Sequence, residues 1–167
     1  FPTRRSSDLA RPDFPLDLTT HQGQMVLREF MGWFVEELIE FQSATNHNDR
    51  CEELSDCYHF LVEIYLMLGM DESDLPYGFV QLPLLPQSPI SVWPTINAVL
   101  VVGQLLKLKP WKRTAPPVDI STIKLRMQQA AYAFSFLINN MGLTLDDLNE
   151  LYMDKHRVNV QRQESGY

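Results

Sequence analysis

The sequence predicts an all-α fold, a helical bundle of about five helices built on an antiparallel helix hairpin. Three observations lead there. Apolar residues recur at helical spacing in each long segment. Capping residues, glycines and prolines punctuate those segments at helix-like intervals. No stretch shows the apolar–polar alternation of a half-buried strand, and no internal repeat is visible.

The elements follow in order. Phe1-Pro-Thr-Arg-Arg-Ser-Ser-Asp-Leu9 fits nothing downstream and resembles a translated sequencing-adapter read-through. Residues 1–9 are therefore expected to be a non-native segment, and residues 10–167 a single domain. Residues 10–18 read as extended, with Pro12 and Pro15. A first helix is expected from near Thr20 to Thr45, with Val26, Leu27, Phe30, Phe34, Leu38 and Phe41 on its apolar side. Asn46 to Asp49 reads as a turn. Asp49 followed by Glu52 is a capping-box pattern, so a second helix is expected from Asp49 to Gly69. Residues 71–94 carry five prolines and read as an irregular connection. A third, strongly apolar helix is expected over 95–108. Residues 98–106 are apolar nearly all round, which suits a central helix or a subunit interface. Lys109 to Pro117 reads as a loop, and a fourth helix as 119–141, ended by Gly142. Thr144 with Asp147 caps a fifth helix over 145–163.

Composition narrows the function classes. The net charge of −7 argues against a nucleic-acid or anionic-membrane binder, which needs a basic surface. No stretch approaches the roughly 20 apolar residues of a membrane span. Cys51 and Cys57 lie about 9 Å apart along one helix, too far for a disulfide. They read as reduced thiols, which suits a cytoplasmic protein.

Two charged constellations carry the chemistry. Glu37-Leu-Ile-Glu40 and Glu53-Leu-Ser-Asp56 each place two carboxylates at i, i+3 on one helix face. Taking Asn46 as the bend, Glu40 stands level with Glu53, and Glu37 with Asp56. At a helix separation of about 8–10 Å, facing carboxylates reach a common ion. An oxygen-only set favours Mg²⁺, or Mn²⁺, over zinc. A solvated acidic face would carry the same residues, but Trp33, Phe34, Leu38, Ile39, Phe41, Leu54, Tyr58, Phe60 and Leu61 leave it little room. The second constellation is at the chain end. Tyr152, Lys155, Asn159 and Arg162 fall at i, i+3, i+7 and i+10, a stripe of donors suited to a polyphosphate. A basic last turn answering the helix dipole is the simpler alternative. His59, one turn past Asp56, is either a partner behind the metal ligands or a core histidine. Trp33, one turn before Glu37, either stacks a base or packs in the core, and at helical spacing the core is the commoner place.

Glu37-x-x-Glu40 followed after twelve residues by Glu53-x-x-Asp56 resembles the metal motif of the all-α, MazG-like nucleoside triphosphate pyrophosphohydrolases. Lys155-x-x-x-Asn159-x-x-Arg162-Gln163-x-x-Gly166-Tyr167 is similar to the C-terminal motif of the dimeric dUTPases, phage forms included, and Glu53-Leu-x-Asp56-x-x-His59-Phe60 resembles their second metal helix. The resemblance covers about residues 20–70 and 143–167; residues 71–142 match in helical character alone. It implies Mg²⁺-dependent hydrolysis of dUTP to dUMP and pyrophosphate. It implies metal held by Glu37, Glu40, Glu53 and Asp56, with Glu37 or Glu40 orienting or deprotonating the attacking water. Lys155, Asn159 and Arg162 are implied to grip the phosphates, Tyr167 to help close the site, and the protein to be a homodimer. The sequence departs from the pattern between the metal helices, where Phe41 to Glu52 lacks the family's usual Trp and Lys. Gln22 and Gln24 are candidate base contacts. The rival readings are a pyrophosphohydrolase for another nucleoside triphosphate, a di-iron carboxylate bundle, and a non-catalytic helical module. The di-iron reading needs two Glu-x-x-His elements, and the chain has none.

Overall fold

The computed structural model describes residues 14–76, 90–109 and 111–165; the side chains at 159 and 162–164 fall outside that description. The expected non-native segment 1–9, the start of the extended segment and most of the proline-rich connection also lie outside the described residues. Those described form five helices and no strand: α1 His21–Ser43, α2 His47–Met67, α3 Trp93–Leu105, α4 Ile120–Asn140 and α5 Leu145–Glu164. A short 3₁₀ turn, Glu72–Asp74, follows α2. No described helix is long and apolar enough to cross a membrane.

Local chemistry explains where the helices begin and end. Thr20 caps α1, its hydroxyl accepting from Gly23 N–H at 3.0 Å. Gly23 is required there, because a Cβ would meet Asp17 O at 2.2 Å. Gln24 is fully buried one position on. Its amide donates to Leu18 O at 2.9 Å and Pro116 O at 3.3 Å, tying the turn before α1 and the loop before α4 to α1. α2 begins earlier than the capping-box pattern suggests. Asn46 is its cap, accepting from Asp49 N–H at 2.9 Å, and Asp49 lies inside the first turn. The expected Thr144–Asp147 box does form, with Asp147 N–H donating to the Thr144 hydroxyl at 3.1 Å and Thr144 N–H donating to the Asp147 carboxylate at 2.7 Å. Gly142, at φ +73°, takes the left-handed conformation that ends α4.

Packing follows from stripes spaced alternately three and four residues apart. α1 buries Leu27, Met31, Phe34, Leu38 and Phe41; α2 buries Leu54, Cys57, Leu61 and Ile64, with Leu68 at its C-cap; α4 buries Ile123, Met127, Ala130, Phe134 and Leu137. α1 and α2 form the hairpin, with α3 against α4 and α1, and α5 against α2. Phe34 meets Phe134 edge to face at 5.8 Å, joining the hairpin to α4. The side chains of Ile39 and Trp33, expected to fill the seam, lie outside it, 51% and 37% exposed. α3 buries Ile96, Val99 and Val102 and leaves Trp93 and Leu100 exposed, so it lies at the edge of this chain rather than at its centre.

Phe34 is fully buried between two helix pairs, so Phe34→Ala is expected to cost about 3–5 kcal/mol in chemical denaturation. A loss below 1 kcal/mol would show that the hairpin and α4 do not share one core.

Candidate active site

The carboxylates converge as the hairpin register requires. Glu37, Glu40 and Glu53 each offer an oxygen, and these three lie within 4.8 Å of one another. The reason is local. Leu38 and Phe41 lock one face of α1 into the seam, and Leu54 and Cys57 lock α2. Glu37, Glu40 and Glu53 are then carried together along one edge of that seam. Glu37 and Glu53 are half-buried and Glu40 is exposed, so the cluster opens on solvent at one side.

Like charges at this distance disturb one another. Burial, then the charges of Asp56, Glu40 and Glu53, push the Glu37 carboxyl up to about 7, against the opposing pull of Lys155. Burial and the charges of Glu40 and Asp56 also raise Glu53. Asp56, expected as the fourth ligand, does not join that 4.8 Å group, but its charge is the foremost of those acting on Glu37 and it lines a cavity with it. It is ion-paired with Lys155, whose ammonium also lies 3.8 Å from Glu52. This pair links α5 to the acidic hairpin.

Glu37, Ser55, Asp56, His59, Phe60, Tyr152 and Lys155 line a cavity of about 230 Å³. His59 is a wall of it rather than a core residue. The imidazole stacks on Tyr152 at 5.1 Å, meets Phe60 edge-on at 6.2 Å and lies 4.0 Å from Glu63. Tyr152 is buried, so it serves the donor stripe as an anchor and not as a free phenol. Tyr58 crosses the same seam, donating to Asn149 Oδ1 at 3.0 Å and meeting the Tyr152 ring at 5.9 Å.

The remaining candidates divide. Trp33 packs with Phe30 at 4.8 Å and Phe60 at 5.8 Å, on the surface next to the cavity and not in the core. Gln22 is exposed on the first turn of α1, about 22 Å along the axis from Glu37, and is not brought to the carboxylates within this chain. Gln24 is taken up by its backbone partners. Positions 159 and 162 extend the Lys155 face of α5 by one and two turns; their side chains, and Tyr167, lie outside the described residues. Sequence reasoning missed Ser55, Phe60 and Glu52 at this site. Phe60 had a signal, since it follows His59 in the stretch that resembles a metal helix; nothing in the spacing singled out Ser55, and Glu52 drew notice only as a capping partner of Asp49.

A sequence model of the dUTPase family matches residues 40–167. This chain belongs to the all-α dUTPase family. The match takes in Glu40, Glu53, Asp56 and the whole of α5, and it includes the middle of the chain, where resemblance was limited to helical character. Glu37 stands three residues ahead of the matched span, one turn from Glu40 on α1, and the hairpin geometry joins it to Glu53. No curated protein and no solved structure matches the chain. Membership of a dUTPase family makes this a nucleotide-hydrolysing chain and accounts for an oxygen-only carboxylate cluster facing a lysine.

A carboxyl that titrates higher in the folded chain binds its proton more tightly when folded. The stability it contributes is fully present below the ordinary value of 4.5 and is lost as the pH rises towards about 7. In EDTA the melting temperature is therefore expected to fall between pH 5 and pH 8, and Glu37→Gln to flatten that fall. An equally steep fall in the Glu37→Gln protein would show that the repulsion lies elsewhere.

Proposed function

We propose that this protein hydrolyses dUTP to dUMP and pyrophosphate, using Mg²⁺ or Mn²⁺ bound by Glu37, Glu40, Glu53 and Asp56. One observation carries the reading. Three carboxylates converge within 4.8 Å, and Lys155 from a distant helix is delivered to their edge. The donor set fits a hard divalent ion: all ligands are oxygen, the cluster opens on one side, and Glu37 bears a repulsion that a cation relieves. When bound, the ion supplies Lewis-acid neutralisation of phosphate charge and lowers the pKa of water.

The chain's own residues do the rest. The α–β phosphoanhydride bond breaks, water supplies the new oxygen, and pyrophosphate leaves. Glu37 or Glu40 orients the water and takes its proton; of the two, Glu37 is the better buried, which suits a proton acceptor. Lys155 places fixed positive charge where the phosphoryl oxygens gain negative charge. Asn159 and Arg162 act farther along the same helical face, and Tyr167 helps close the site. Trp33 and Phe60 offer an aromatic surface beside the cavity for the base. α3, with Trp93 and Leu100 exposed, serves in this reading as the surface of a homodimer, the assembly that the family resemblance implies.

Purified protein is expected to release pyrophosphate from dUTP with Mg²⁺ and not in EDTA, and to prefer dUTP over dCTP, dTTP and dATP. Equal turnover of all four would replace the dUTP reading with a general pyrophosphohydrolase; no pyrophosphate from any of them would end the proposal. Glu53→Gln is expected to lower the rate by about 100-fold or more through loss of a metal ligand. Lys155→Met is expected to raise KM by about tenfold or more, since charged hydrogen bonds contribute about 1.5–3 kcal/mol. An unchanged KM in the Lys155→Met enzyme would remove α5 from the site.

A further inference from the structure

Ser55 lies inside the second acidic motif, between Glu53 and Asp56, and is 3% exposed. A helical serine in a buried seam normally turns its hydroxyl back to the carbonyl one turn earlier. This one does not: its Oγ is buried and has no hydrogen-bond partner among the described residues. A buried hydroxyl without a partner costs free energy unless something else satisfies it.

Its surroundings say what that is. Ser55 lines the cavity shared by Glu37, Asp56, His59 and Lys155. It also lines a second cavity, on the side of Cys51, Glu52 and Asp154. Lys155 belongs to both, so the serine sits in the α2–α5 seam at the point where the two cavities meet the lysine. The ammonium is engaged with Asp56 and lies near Glu52, the residues flanking Ser55 on this face of α2. An anionic group that draws Lys155 away from Asp56 arrives beside the serine. A hydroxyl donor next to an ammonium suits an anionic oxygen acceptor.

Building on the proposed nucleotide reaction, we infer that Ser55 is a phosphate-binding residue, its hydroxyl donating to the nucleotide phosphate oxygen that Lys155 holds. Its chemistry differs from that of its neighbours. The flanking carboxylates repel phosphate, whereas the serine donates without adding charge. Ser55 thereby gives α2 a substrate contact of its own, and phosphate recognition is not confined to α5.

The test is calorimetric binding of a non-hydrolysable α,β-imido dUTP analogue, and separately of pyrophosphate, with Mg²⁺ present. Ser55→Ala is expected to weaken both by about tenfold while leaving the melting temperature of the ligand-free protein equal or higher. The Mg²⁺-induced rise in melting temperature is expected to be unchanged. Ser55→Thr keeps the donor and is expected to recover most of the affinity. Wild-type affinity for the analogue in the Ser55→Ala protein would overturn the assignment while leaving the dUTPase reading intact. So would an equal weakening of deoxyuridine binding with pyrophosphate binding unchanged, which would move the contact to the nucleoside. A lower melting temperature with unaltered affinities would make the hydroxyl a structural group. Failure of the wild-type protein to bind the analogue at all would overturn this inference together with the reaction it rests on.

Discussion

Acidic side chains held at one level across a helical seam are the constraint on which this structure turns. Glu37, Glu40 and Glu53 repel one another, and burial sharpens the repulsion, as the upward shift of Glu37 records. Nothing in the carboxylates draws them together. The apolar stripes of α1 and α2 do so, because they close only in a register that stacks Leu38 and Phe41 against α2. Hydrophobic packing thus forces an electrostatically unfavourable arrangement. Such conflict between local charge and global packing is expected at a functional site.

Lys155 meets that conflict from outside the hairpin. Its ammonium pairs with Asp56 and lowers the cost of ionising Glu37 and Glu53. An ion pair that is part-exposed adds little to stability by itself. The docking of α5 rests instead on Leu148 and Tyr152, both buried, and on the Tyr58–Asn149 hydrogen bond. The lysine is therefore placed by packing, and its charge remains available to a ligand.

How much of this is legible in sequence depends on the period of the signal. The five helices are legible because α1, α2 and α4 repeat apolar residues on a stripe that helical geometry dictates, and because Thr144–Asp147 and Gly142 mark ends with side chains of known geometry. The start of α2 is less so. Asn46 and Asp49 are both good caps, and only the fold of the turn decides between them. The carboxylate cluster is legible by counting residues from the bend. The pairing of Asp56 with Lys155 is not, since it depends on where a residue 99 positions downstream arrives. The exposure of Trp33 and Ile39 follows from spacing, though their apolar character masks it: each stands about 120° round the helix from the middle of the buried stripe, on opposite sides. Ser55 has no signal at all, because an ordinary helical serine and one without an acceptor read alike.

The two ends of α5 divide the work, and that division explains why the donor stripe has its order. Asn149 and Tyr152 come first and are committed to α2, through a hydrogen bond and through ring contacts with Tyr58 and His59. Lys155 follows one turn later and bridges to the acidic edge. Positions 159 and 162 lie beyond it on the same face, past the residues that fix the helix to the bundle. A helix rises about 1.5 Å per residue, so these three positions sample roughly 10 Å along its axis, about the length of an extended triphosphate. Anchoring the first turns fixes the rotation of the whole helix, and that rotation decides whether the stripe faces the carboxylates. The aromatic wall of Tyr58, His59 and Tyr152 is thus the joint through which core packing sets the direction of the charged face.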